Sequence, residues 1–541
     1  VYEDDVHAKE VEDQLILGDE IMIAPIYTQN TSGRYVYLPE EMMAVKMRSL
    51  TEYDCKVLPA GHHYVDVDLN EMIFFIRPNH LVPMTYGGES TEEVDFATLK
   101  VFGFVKKNTT YELYLDDGVS KDYGKKENYM EIKADKKGNL TVNNDKITFV
   151  GTPDDEMLKS TAFEREIDLE GNLLMPSFKN AHTHSAMTFL RSFADDMPLQ
   201  DWLFKQVFPM EAKLTGDAVY WLSKLAILEY LTSGVTANFD MYFEHEDYVK
   251  AHIESGFRTV LCGSVSGDKS NIQRLEGYYN RFNDIDPLVS YRLGFHAEYT
   301  ADFELMEAVG ELANKYKAPV SVHNSETEKE VRECIEKYGK TPTELFDSLG
   351  IYNYGGAGFH CVHFTENDMD IFKERNVYAV TCPGSNAKLA SGIAPLCRMT
   401  EKGVHLAIGT DGPASNNCLD MFREMFLMTA LQKIRQSDAA AFSADKVLYA
   451  ATVGSAKAMG LDDCTDISVG KQADLIVIDL CQPNMQPLNN ISKNLVYSGS
   501  KQNVKMTMCA GEILYENGIF HINEEAQRIY TKANEIINSY K

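Results

Sequence analysis

At about 100–200 residues per domain, the 541 residues of this chain call for more than one folding unit. With 44% hydrophobic, 11% aromatic and 25% charged residues, the composition excludes collagenous, low-complexity and largely disordered classes. A formal net charge of −29 argues against partners that present phosphate backbones or anionic lipid heads, so neither a nucleic acid nor a membrane surface is expected. The ten cysteines are scattered without a CxxC pair, as in a reducing compartment. No apolar run approaches the roughly 20 residues of a membrane span, and the opening VYEDDVHAKEVEDQ lacks a basic and then apolar leader. A cytoplasmic protein is expected. Because the chain opens on Val rather than Met, it is also expected to be part of a longer product.

Residues 1–140 read as an all-β domain. Short runs rich in Tyr, Val and Ile (EIMIAPIY, RYVYLP, HHYVDVDL, MIFFIR, TYELYL) are separated by the turn signals TSG, PAG and DDG. The pair Asp116-Asp117 before Gly118 reads as a hairpin turn rather than a catalytic pair, and His62, His63 and His80 are expected to be surface residues. From about 145 the texture becomes an alternation. The runs VTANFDMY, RTVLCGSV, SYRLGFHAEY, APVSVHNSE, GAGFHCVHF, VYAVTCPGS and VHLAIGTDG are each separated by a helix-length stretch. In GDAVYWLSKLAILEYLTSG, residues Val219, Leu222, Leu225, Ala226 and Leu228 keep helical spacing, and Gly234 ends the helix.

Alternating βα units predict a parallel sheet. The 229 residues from His182 to Asp411 suit seven repeats of roughly 30 residues, and hence a (β/α)8 TIM barrel over 176–469. A small composite β-sandwich is expected from residues 141–175 and 470–541, with ADLIVIDL and VKMTMCAGEILYENG pairing with DKITFVGT and REIDLEGN.

The chemistry gathers at predicted strand ends. In a strand, residues i and i+2 face the same way, so His182 and His184 of NAHTH can point into one cavity. His296 closes LGFH, His323 closes VSVH, His360 lies in GFHCVH and Asp411 closes AIGTD. Five of the chain's fourteen histidines thus fall where a barrel's βα loops begin, the place where such barrels carry active sites. Neutral imidazoles with one carboxylate suit Zn²⁺ or Fe²⁺ and leave a position for a water made acidic by the metal. Glu326, three residues after His323, can stand beside that water as a proton shuttle.

These residues bring a family into view. PSFKNAHTHSAM, DDMPLQDWL, FPMEAKLT, SGVTANFDMY, SVHNSETEKEV, CPGSNAKLASGIAP and GTDGPASNNCLDMF make the segment from about 142 to 541 resemble the amidohydrolase superfamily. More closely, it resembles the superfamily's 5-methylthioadenosine/S-adenosylhomocysteine deaminases. The resemblance implies metal-dependent hydrolytic deamination of adenosine-type nucleosides, with release of ammonia. It implies His182, His184, His323 and Asp411 as ligands of one divalent metal per chain, Zn²⁺ in first place and Fe²⁺ as the alternative. Asp411, Glu326 and His360 are then the catalytic groups: a base, a proton shuttle and a group that orients the attacking water. Glu211 would hold ribose hydroxyls, with His296, Glu326 and Trp202 as further substrate contacts. Strand four ends in a histidine and not in a lysine that bridges two metals, which agrees with one metal. A small-molecule nucleoside is the expected partner, and self-association follows by analogy.

Ser177 and the loop TCPGSN depart from the family pattern, and Arg274 and Arg292 are candidates to meet a homocysteine carboxylate. Met-rich FREMFLMTALQKI is expected to be a packing helix, Cys361 buried packing, and His363 outside the site. The first 140 residues resemble the C-terminal β-domains of family 31 glycoside hydrolases without that family's catalytic barrel. The join, KKENYMEIKADKKGNLTVNN, fills the place of further deaminase strands. Two rival readings follow: another member of the same branch, such as a guanine deaminase or triazine chlorohydrolase, and a non-catalytic fusion with a vestigial glycosidase β-domain.

Overall fold

The computed structural model describes the chain except residues 1, 3, 4, 27–30, 51, 86–98, 107–108, 115–128, 135–138, 152–162, 244 and 541. The Asp116-Asp117-Gly118 step lies outside the described residues. The chain divides into two compact units, Val1–Thr141 with Phe149–Arg165, and Val142–Thr148 with Glu166–Lys541.

The first unit is antiparallel. Its main sheet runs Leu15–Leu17, Ile21–Ile23, Met72–Ile76, Met42–Ser49 and Glu52–Leu58 in spatial order. Successive side chains of a strand point to opposite faces. Phe75 accordingly joins Met22, Val36 and Leu38 on one side, while Phe74 and Ile76 join Val45, Val82 and Phe102 on the other. Both faces of the sheet are covered at Phe74–Ile76, which is why the run MIFFI is apolar without a break.

The second unit contains eight parallel strands in sequential order: β1 (Phe178–Thr183), β2 (Val235–Asp240), β3 (Arg258–Cys262), β4 (Val289–Gly294), β5 (Val320–Asn324), β6 (Gly356–His360), β7 (Val377–Thr381) and β8 (His405–Ile408). Helices follow each strand, as in Gly216–Thr232 after β1 and Met421–Gln436 after β8. This is the expected TIM barrel. Small residues let the strands close on themselves: Ala181, Ala237, Ala357 and Ala407 fill the interior around Phe239 and Phe359. The β8–β1 seam closes just beyond β8. There Thr410 N–H donates to Asn180 Oδ1 at 2.9 Å, and Asp411 N–H donates to the His182 carbonyl at 3.0 Å. Gly409 permits that approach, since a Cβ there would stand 2.7 Å from the His182 backbone nitrogen.

The flanking sheet is antiparallel, in the order Leu173–Pro176, Leu475–Ile478, Val504–Cys509, Glu512–Glu516 and Ile519–Phe520. Its first strand lies just after REIDLEGN and not within it, because Glu170 and Gly171 take positive φ and make a turn. Residues Asp145–Ile147 run beside 470–473 through three backbone bonds, including Ile147 N–H to the Lys471 carbonyl at 2.9 Å. At the N-terminal end of the barrel, buried Arg258 pairs with Asp474 of the flanking sheet at 3.1 Å. The unexpected Ser177 sits beside this pair, accepting from Lys179 Nζ at 2.6 Å. Its hydroxyl gives a buried ammonium a partner that glycine could not.

Candidate active site

The C-terminal ends of the strands turn their side chains toward one cavity of about 450 Å³. Trp202, Glu211, His296, Glu326, His360 and Asp411 line it together with His184 and His323, while His182 is wholly buried beside them. The expected metal, catalytic and nucleoside-contact residues are therefore brought together, whereas the two candidate arginines are not among them.

Three of the imidazoles, those of His184, His323 and His360, are oriented through one nitrogen each. His184 Nδ1 donates to the Met241 carbonyl at 2.6 Å and His323 Nδ1 to the His296 carbonyl at 2.7 Å, leaving each Nε2 free to act. His360 Nδ1 meets Asn386 Oδ1 at 2.7 Å. The His182 ring stacks on Phe359 at 3.8 Å between centroids. Asp411 Oδ1 lies 3.2 Å from His184 Nε2 and 3.6 Å from His182 Nε2. Its Oδ2 accepts from Ser385 at 2.6 Å and from Ser415 at 2.7 Å. Two triads, His182–His184–Asp411 and His182–His323–His360, each hold their candidate ligand atoms within 4.8 Å of one another.

A cation fits this donor set. Both ring nitrogens of His182 are buried and without a hydrogen-bond partner among the described residues, a costly state for an imidazole unless a ligand uses it. Burial and the neighbouring imidazoles hold His182 and His323 well below the usual histidine range, so both keep free lone pairs. Burial also pulls on His184, but the hydrogen bond and charge of Asp411 lift it to about 9. Burial would raise Asp411, yet His184, His360 and His182 hold it well below the usual carboxylate range. A positive charge is thus wanted where Asp411 meets the imidazoles, and a divalent metal would supply it in place of a proton.

In the same cavity, Tyr242 O–H donates to Glu211 Oε1 at 2.7 Å, and burial pushes Glu211 up to about 7. Ser391 O–H donates to Glu326 Oε1 at 3.0 Å, and Glu326 Oε2 stands 3.9 Å from His360 Nε2. Met187, Leu203, Phe204, Phe208 and Phe243 supply apolar lining.

Arg274 and Arg292 do not line the cavity. Arg292 donates to the Met459 carbonyl at 3.3 Å. Neither arginine is therefore placed to meet a carboxylate of a ligand in the cavity. Cys361 is buried with its thiol on the Gly358 carbonyl, and His363 bonds the Ser391 carbonyl outside the cavity. Sequence reasoning missed Tyr242, Ser385, Asn386, Ser391 and Ser415. Ser385 and Asn386 lie in the TCPGSN loop, where a departure from the family pattern was the available signal. The other three also sit just past strand ends or in the loops that follow them.

Eight parallel strands delivering imidazoles and a carboxylate to one mouth define a metal-dependent hydrolase barrel. Residues 173–514 match the profile of the Amidohydrolase family, and residues 1–82 that of the Glycosyl hydrolase family 31 C-terminal domain. The chain is 38% identical over 387 residues to a 5-methylthioadenosine/S-adenosylhomocysteine deaminase of Thermoanaerobacter pseudethanolicus, covering 70% of this chain and 89% of the relative. It is 37% identical over 414 residues to a 5′-deoxyadenosine deaminase of Methanobrevibacter smithii, covering 75% and 94%. An adenosine deaminase structure from Xanthomonas campestris with bound zinc superposes with a TM-score of 0.71 at 34% identity, covering 76% of this chain and 94% of that one. The chain belongs to the amidohydrolase family, and it is a hydrolase acting on carbon–nitrogen bonds. Among the described residues no helix is long and apolar enough to cross a membrane.

Proposed function

We propose that this chain removes the exocyclic amine of adenosine-type nucleosides by hydrolysis, releasing ammonia and the inosyl product. S-adenosylhomocysteine and 5-methylthioadenosine are its proposed substrates. The observation that carries this reading is one cavity lined both by the imidazole–Asp411 cluster and by the buried Glu211 carboxyl. A carboxylate with one oxygen held by Tyr242 keeps the other for vicinal ribose hydroxyls, which a free base lacks.

One divalent cation, Zn²⁺ or alternatively Fe²⁺, held by His182, His184, His323 and Asp411, would supply a water acidic enough to act as nucleophile. Asp411 would take up the nucleophile's proton on Oδ1, its Oδ2 being already engaged by two serines. Glu326 gives a proton to the ring nitrogen beside the reacting carbon and relays another to the departing ammonia. Burial opposes a charge on His360, but Glu326 and Asp411 raise it, so its Nε2 can donate to the oxygen arriving at that carbon. His296 and Trp202 bound the base, and the phenylalanines suit an alkylthio or deoxy 5′ end.

The test is ammonia release by purified, metal-assayed protein on S-adenosylhomocysteine, methylthioadenosine, 5′-deoxyadenosine, adenosine and guanine. Release from nucleosides with about one metal per chain is expected. Release from guanine alone would move the assignment to another member of the branch, and metal bound with no release from any of them would overturn the substrate class.

A further inference from the structure

Asp411 faces the imidazoles with Oδ1, while Ser385 and Ser415 both donate to its Oδ2, at 2.6 and 2.7 Å. The two serines come from different loops: Ser385 from the helix Pro383–Lys388 after β7, Ser415 from the turn after β8. The Ser415 hydroxyl also lies 3.1 Å from the Gly412 carbonyl, but that carbonyl already accepts the N–H groups of Ser415 and Asn416. Two hydroxyls can meet at one oxygen only if the loops that carry them are held at a fixed separation.

The residue that spans the two loops is Glu424, on the helix Met421–Gln436 and wholly buried. Its Oε2 accepts the N–H of Gly384, the neighbour of Ser385, at 2.8 Å. Its Oε1 accepts from Nδ2 of Asn416, the neighbour of Ser415, also at 2.8 Å. Asn416 Nδ2 donates in addition to the carbonyl of Thr410, the residue before Asp411, at 2.7 Å. Gly384 stands in the first turn of its helix, where an N–H has no acceptor within the helix, so Glu424 supplies one from outside. Glycine is needed at 384 for space and not for conformation, since its φ is not positive. A Cβ there would collide with Glu424 Oε1 and stand 2.9 Å from the Asn416 amide. The TCPGSN loop is thus shaped around the Glu424 carboxylate.

We propose that Glu424 is a positioning residue that clamps the loops after β7 and β8, so that Ser385 and Ser415 converge on Asp411 Oδ2 and Oδ1 is reserved for the imidazole cluster. Its effect on turnover rests on the deaminase reading, whereas its effect on the two serines does not.

Glu424→Gln keeps the size of the side chain but leaves one acceptor oxygen for two donors, and Asn416 cannot turn its own oxygen toward the new NH₂ group without losing Thr410. Its kcat for ammonia release is expected to fall roughly 10–100-fold, with KM within about threefold of wild type. Gly384→Ala favours the helix yet strikes Glu424, so it should lose kcat to a similar degree, and it decides the matter if Glu424→Gln does not fold. Ser385→Ala combined with Ser415→Ala should also lose kcat. Adding Glu424→Gln to that pair should cost less than about threefold more, because Glu424 acts through those two hydroxyls. A residue that only supports the fold would multiply its loss onto that of the serines. The clamp is wrong if Glu424→Gln or Gly384→Ala keeps wild-type kcat, or if the losses multiply. If the wild type releases no ammonia from any nucleoside, the deaminase reading falls and a crystal structure of Gly384→Ala decides the clamp. At least one serine hydroxyl should then lie more than about 3.5 Å from Asp411 Oδ2, and two intact bonds would overturn the proposal.

Discussion

Histidines in the two units show what position does to one side chain. In the first unit His63 and His80 bond nearby backbone carbonyls of Pro59 and Pro78, and His62 is exposed beside Tyr37. In the second unit five histidines from four different strands meet around one cavity or stand buried beside it. A parallel barrel makes every strand end at the same mouth, so residues far apart in sequence become neighbours there. An antiparallel sheet sends successive strand ends to opposite edges and gathers no such set. The same imidazole is a surface residue in one unit and a candidate ligand in the other.

The largest expected effect breaks the barrel side of that contrast. His323→Ala or Asp411→Asn should cut ammonia release by roughly a thousandfold or more and lower bound metal. The same change at His80 should alter neither, and a His323→Ala protein with full activity and full metal would remove the basis of the site.

A smaller effect concerns Glu211. The folded chain holds its proton up to about pH 7, whereas the unfolded chain releases it near 4.5, so the folded state binds more protons between those values. Stability contributed by this group is therefore present below the lower value, falls as pH rises through the window, and stays lost above it. Glu211→Gln should then be more stable than wild type at pH 8, by on the order of 1–3 kcal/mol, with no gain at pH 4. Denaturant unfolding at the two pH values checks this; an equal gain at both would mean that the carboxyl is not raised. The same variant should bind nucleosides poorly.

The smallest expected effect concerns the first unit. The residues that match the Amidohydrolase family profile, 173–514, all lie beyond the first 141. A chain starting at residue 142 should keep kcat and KM within about threefold and the same metal content, because every candidate site residue lies beyond that point. A tenfold loss with metal retained would show that the first unit supports the barrel in some way.

Much of this architecture is legible from one sequence, because strand-length apolar runs alternate with helix-length amphipathic ones, and hydrophobic periodicity is a local property. The HxH pair, His323, His360 and Asp411 could be picked out for the same reason: they stand at the ends of those runs. The start of the flanking sheet was misjudged by a few residues. REIDLEGN alternates well enough for a strand, yet the positive φ at Glu170 and Gly171 places the strand at Leu173–Pro176 instead. Residue type alone allows either arginine to meet an anionic ligand group, and only packing shows that Arg292 is spent on the Met459 carbonyl.

What the sequence determined by itself was the order of elements and the identity of the reactive side chains, since both are written in spacing and residue type. What only the tertiary structure decided was the support around them: Asn386 on His360, Ser385 and Ser415 on Asp411, Tyr242 on Glu211, and Glu330 on the backbone N–H groups of residues 325–327. Those partners are ordinary polar residues without a motif. They become functional through distances set by loops that leave different strands, and a distance between loops is fixed by closure of the barrel rather than by any local run of residues.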